Sequence, residues 1–80
     1  MAINQEFLYK MIANAFPEAK IKLIDLVGDQ NHYELKILDR IFTNLPLIAQ
    51  HRLVYEAVDT VMGKELHALK INIIKNEQDF

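Results

Sequence analysis

Eighty residues with nine Lys and Arg against eleven Asp and Glu, a net charge of −2, leave room for one domain with a modest core. The absence of cysteine excludes an internal disulfide, and no run of about 18 apolar residues offers a membrane span. The mild acidity argues against a protein whose main task is holding nucleic acid, because phosphate neutralisation usually needs a basic surface, though a small local basic patch is compatible with it.

The front of the chain, MAINQEFLYK, places Asn4, Gln5 and Glu6 where a signal or transit peptide would carry a basic region, so it is expected to be part of the fold, with the cytoplasm as the compartment. Ile3, Phe7, Leu8, Met11, Ile12 and Ala15 fall at helical spacing. Asn4 is a suitable N-cap, Ile3 and Leu8 are placed as a hydrophobic staple, and Pro17 ends the segment. A first helix over 4–15 follows. AKIKLIDLVG, 19–28, reads as a strand, closed by the turn chemistry of GDQN. In HYELKILD, 32–39, Tyr33, Leu35 and Ile37 alternate with His32, Glu34 and Lys36, the pattern of a half-buried strand paired to the first through a hairpin.

RIFTNLP connects to a second helix over 46–62, with Pro46 in its first turn and Asn44 or Leu45 as its cap. Leu47, Val54, Ala57, Val58 and Val61 share its inner face; Arg52, Glu56 and Asp59 share the outer one. Arg52 and Glu56 are spaced as an i,i+4 ion pair in the less favourable order. Gly63 is a natural stop. HALKINII, 67–74, is a third strand with Leu69, Ile71 and Ile73 inward and Lys70 and Asn72 outward. The order helix, strand, strand, helix, strand predicts an α+β layer: a three-stranded mixed sheet with both helices on one face and the third strand parallel to the second. The second and third strands then start at one end of the sheet, so His32, His67 and the turn residues Asp29, Gln30 and Asn31 share one rim. Alternation alone assigns His32 to the face opposite Tyr33 and gives His67 the parity of the inward Leu69.

FPEAKIKLIDL, GDQNHYELKIL, QHRLVYEAV and ELHALKINI, in this order and at compatible spacing, resemble the BolA family over nearly the whole chain. The resemblance implies a helix–strand–strand–helix–strand fold similar to the type II KH fold, with a short extra helical turn before the last strand, here GKEL. It implies a monothiol glutaredoxin as partner, a 2Fe–2S cluster shared with that partner, and a role in iron–sulfur trafficking, iron regulation or stress response. It places the family's C-terminal histidine ligand on His67. The second ligand usually comes from the loop between the first two strands. There this chain has Asp29 where one branch of the family has cysteine, and His32 is the nearest imidazole.

Imidazole suits iron, and histidine in place of thiolate on one iron raises a cluster's potential. A chain without a thiol needs sulfur from elsewhere, such as a glutaredoxin cysteine and glutathione. Beside this stands the plain reading of His67 as a strand-edge histidine bonded to a backbone carbonyl, of His32 as a surface histidine and of Asp29 as a turn residue. Asp29, Asn31, His51, Arg52 and Tyr55 are candidates for partner contact. His51 and Arg52 also read as helix surface, and Tyr55 as core-edge packing. The KH-like fold keeps an alternative open, a DNA-binding transcriptional regulator acting through helix 46–62 with His51 and Arg52. Against it, KH domains clamp nucleotides with a GXXG loop, and Gly28 and Gly63 stand alone. Catalysis is not expected. There is no cysteine nucleophile, no Ser-His-Asp order and no phosphate loop, and so short a chain leaves little room for a pocket of about 300 Å³. The expected molecule is a non-catalytic adaptor, a monomer or weak homodimer on its own.

Overall fold

A computed structural model describes residues 3–26, 28, 32–64, 66 and 68–80. The first helix, α1, spans Gln5–Ala15. Asn4 caps it, its side chain accepting from the Glu6 and Phe7 amides at 2.8 and 3.3 Å, while Ile3 and Leu8 are both buried as the staple requires. Strands β1 (Lys20–Asp25) and β2 (His32–Leu38) pair antiparallel, and β3 (Ala68–Ile73) pairs parallel to β2, which lies in the middle. The inward set of Leu23, Tyr33, Leu35, Ile37 and Leu69 packs with Leu8, Ile12, Val54 and Val58 from the helices in one core. Two side chains tie the N-terminal segment to this sheet. The buried Tyr33 hydroxyl donates to the Ile3 carbonyl at 2.7 Å, and Gln5 Nε2 donates to the β1 carbonyl of Leu23 at 2.7 Å.

The connector forms a 3-10 turn over Arg40–Phe42, capped by Asp39 Oδ1, which accepts from the Ile41 amide. The second helix, α2, spans Leu47–Ala57 and is shorter at both ends than the sequence pattern suggests. Pro46, and neither Asn44 nor Leu45, is the N-cap; it is extended, and no side chain caps the helix. Leu47 is not inward but 66% exposed; the buried residue at this end of the helix is Gln50, which donates to the Phe42 and Leu45 carbonyls. At the other end the chain leaves the helix at Val58, where β-branched residues and Asp59 favour it poorly. Residues 58–64 form successive hydrogen-bonded turns in place of the last helical turns. Both Val58 and Val61 still reach the core. The extra helical turn expected over 63–66 is not formed by the described residues. Met62 and Leu66 make an isolated parallel bridge instead, and Gly63, at φ +80°, donates to the Leu66 carbonyl. After β3 the chain crosses the end of the sheet, and a 3-10 turn over Glu77–Asp79 is held to β1 by Lys20 Nζ and Glu77 Oε1 at 2.7 Å. Among the described residues no helix is long and apolar enough to cross a membrane.

Candidate functional site

The parallel pairing of β2 and β3 fixes what the two strand starts can share. His32 is the register partner of Ala68, the residue that follows His67 in the sequence. The rim is closed on the β1 side by two hydrogen bonds. The Leu26 amide donates to the His32 carbonyl at 2.9 Å, and Asp25 Oδ1 accepts from the Gly28 amide at 3.0 Å. Gly28 takes φ +75°, a conformation that side chains with a Cβ rarely adopt. His32 is half-buried at the head of β2, on the sheet face away from the helices. His67, Asp29 and Asn31 lie outside the described residues.

The remaining candidates stand on α2. Ile48, His51, Arg52 and Tyr55 follow one another at i, i+3, i+4 and i+7, which puts them on one stripe of the helix. Ile48 is 69% exposed and Tyr55 41% exposed. Tyr55 is thus outside the core edge. Arg52 is exposed, His51 half-buried. The expected Arg52–Glu56 ion pair is not formed, and among the described residues the salt bridges are Lys10–Glu6 and Lys20–Glu77; an arginine placed N-terminal to its glutamate is the weaker orientation. Because α2 carries the chain from the end of β2 back toward the start of β3, its C-terminal half, with Arg52 and Tyr55, runs toward the rim of His32. Of the strand-end candidates the structure describes His32, on the sheet face away from the helices, whereas His51, Arg52 and Tyr55 lie along α2.

Two features escaped the sequence pattern. One is Gln50, only 7% exposed, whose Nε2 donates to the Phe42 carbonyl at 2.9 Å and the Leu45 carbonyl at 3.0 Å. It anchors the helix that bears the exposed stripe. The other is a cleft of about 610 Å³ at the end of the sheet away from His32, lined by Lys20, Arg40, Phe42, Gln50 and Lys75 among others. The expectation that so short a chain leaves little room for a pocket of about 300 Å³ is thereby corrected: the connector and the C-terminal segment line a larger cleft beyond the strand ends. Glu77, at its edge, has its carboxyl held below the ordinary glutamate value, first by the hydrogen bond from Lys20 and then by that ammonium's charge.

The family model for BolA-like protein matches residues 8–78. A protein of Rickettsia prowazekii (strain Madrid E), RP812, is 47% identical over 74 residues, covering 92% of this chain and 96% of the relative. The NMR structure of RP812, described as BolA-like, superposes with a TM-score of 0.72 at 46% identity, over 95% of this chain and 99% of that one. The BolA domain of SufE1 from Arabidopsis thaliana shares the fold at 20% identity, with a TM-score of 0.74 over 99% of this chain and 100% of that one.

Proposed function

The chain belongs to the BolA-like family, and on that premise we propose that it is a non-catalytic cytoplasmic adaptor that binds a monothiol glutaredoxin and shares a 2Fe–2S cluster with it, in iron–sulfur trafficking or iron regulation. The observation that carries the proposal is the parallel register that sets His32 opposite Ala68, so that two histidines of a cysteine-free chain belong to neighbouring strand starts. The donor set is compatible with a shared cluster, since imidazole suits iron. This chain offers imidazole but no thiolate, and the thiolates come from the partner and glutathione. His67 is the ligand and His32 the candidate for the second position; a hard carboxylate such as Asp29 suits a 2Fe–2S iron poorly. The cluster, when bound, supplies electron-transfer or iron-donor chemistry. The chain's own part is to present nitrogen ligands and a docking surface.

The α2 stripe supports a protein partner over DNA. Between the exposed Ile48 and Tyr55 it carries one fixed positive charge, Arg52, whereas binding through phosphates depends on several. Mixing the protein with cluster-loaded glutaredoxin changes the visible absorption and circular dichroism spectra. His67→Ala abolishes the change, and His32→Ala weakens it if that imidazole is the second ligand. Unaltered spectra with the wild-type chain would remove the cluster from the proposal.

A further inference from the structure

The helices cover one face of the sheet and leave the other open. The outward positions of its three strands hold four of the chain's nine basic residues, Lys20, Lys22, Lys36 and Lys70, and one of its eleven acidic ones, Glu34. The face is therefore net +3 on a chain whose total is −2, and the remainder of the molecule carries −5. Register brings these charges together from separate stretches of sequence. Lys22 lies directly opposite Lys36, and Lys70 lies opposite Glu34, diagonal to Lys36. Directly opposed side chains stand about 5 Å apart at Cβ, and diagonal neighbours about 7–8 Å.

The neutralising partners are elsewhere. The carboxylate of Glu34 accepts a short hydrogen bond from Asn72 Nδ2, and Lys20 is engaged by Glu77. Among the described residues Lys22, Lys36 and Lys70 have no ion pair. Like charges directly opposed on a sheet are destabilising, so this arrangement costs the isolated fold something and becomes favourable only when a negative surface lies against it. We propose that the open sheet face is a second docking surface, for a protein surface rich in Asp and Glu. Two observations favour an acidic protein over nucleic acid. No Phe, Tyr or Trp occupies the outward strand positions to stack on a base, and the one imidazole among them, His32, stands at the head of β2. Half-buried Ile24 and Leu38 interrupt the charges with apolar surface, the mixed character of a protein contact. This face is independent of the α2 stripe, and His32 stands at its edge, at the head of β2.

The test uses the full isotope-labelled chain titrated at low salt with poly-L-glutamate of about 20 residues, and separately with duplex DNA of matched charge. Amide shifts from the polypeptide map to β1, β2 and β3. The variant Lys22→Gln/Lys36→Gln/Lys70→Gln binds about tenfold more weakly. The variant Lys10→Gln/Lys64→Gln/Lys75→Gln, with the same change in net charge, keeps its affinity, as does His67→Ala. The sheet variant melts at or above the wild-type temperature, since the Lys22–Lys36 repulsion is gone. Shifts confined to α2, equal affinity in the sheet variant, absence of binding, or tighter binding of the duplex through the same lysines would each overturn the proposal.

Discussion

Replacing Gln50 by leucine tests how the α2 surface is anchored. The side chain is buried and leucine keeps nearly its size, so the perturbation falls on hydrogen bonding and not on volume. The two lost bonds differ in consequence. The Phe42 carbonyl keeps a second donor, the Leu45 amide at 3.2 Å, so losing Gln50 there costs about 0.5–1 kcal/mol. The Leu45 carbonyl has Gln50 as its only donor among the described residues and is partly buried, so losing that donor costs about 1 kcal/mol. The total is about 2 kcal/mol, which for a domain of this size lowers the melting temperature by roughly 10 °C. Thermal unfolding followed by far-UV circular dichroism reads the change. Gln50→Glu sharpens the test, because a carboxylate turned toward two carbonyl oxygens in a buried position has its folded-state pKa raised above its unfolded value. Its folded form is therefore favoured by protonation. The deficit relative to wild type is smallest below the unfolded pKa of about 4.3 and widens as pH climbs through the raised folded value. A Gln50→Leu melting temperature within about 2 °C of wild type, or a flat pH profile for Gln50→Glu, would refute the assignment of Gln50 as the clamp between connector and helix.

Two further outcomes follow from single contacts. Glu77 has its pKa lowered by the Lys20 hydrogen bond and charge, so the contact favours the folded C-terminal turn above the ordinary glutamate pKa and is lost as pH falls through the depressed value. An NMR titration of the Glu77 carboxyl in Lys20→Gln shows the midpoint returned upward to that of an ordinary glutamate, and an unmoved midpoint would rule out the pairing. Ile48→Glu places a carboxylate on an exposed first-turn position of α2, where the helix dipole tolerates it, so stability changes by less than about 0.5 kcal/mol. Affinity for glutaredoxin, measured by calorimetry, falls about tenfold if the stripe is the docking surface. A large loss of stability would instead mean that Ile48 is core.

Period and parity carried most of the fold. Strict alternation in residues 32–38 reappears as a buried residue at every second position of β2, and the Asn4 cap with its Ile3–Leu8 staple is a local interaction readable from neighbours in sequence. The errors arose where local pattern is ambiguous. Val54, Val58 and Val61 keep helical spacing, so the pattern continues past Ala57, yet tight turns also deliver Val58 and Val61 to the core. Gln50 sits at i−4 from Val54, on the inner face, but its amide reads as an outward residue unless the two connector carbonyls that need donors are known. Those carbonyls are exposed by the fold and not by the sequence.

The candidate surfaces were harder to read for a different reason, because each violates the rule that places apolar residues inside and opposite charges together. Leu47 reads as an inner-face residue by spacing, yet it and Ile48 are the most exposed large apolar side chains among the described residues. Lys22, Lys36 and Lys70 each read as an ordinary outward lysine of its own strand. Only the pairing of β1 with β2 and of β2 with β3 assembles them into one face. A fold optimised for stability alone would exchange one of the opposed lysines for glutamate and bury or replace Ile48, since surface substitutions of this kind commonly raise stability. That neither exchange is present agrees with the two proposed docking surfaces, an apolar stripe with one arginine on the helical side and a net-positive lysine face on the sheet. The two surfaces separate experimentally. Raising salt screens exposed charges beyond a Debye length of about 8 Å at physiological ionic strength, so it weakens binding to the sheet face while leaving an apolar contact at Ile48 and Tyr55 largely intact.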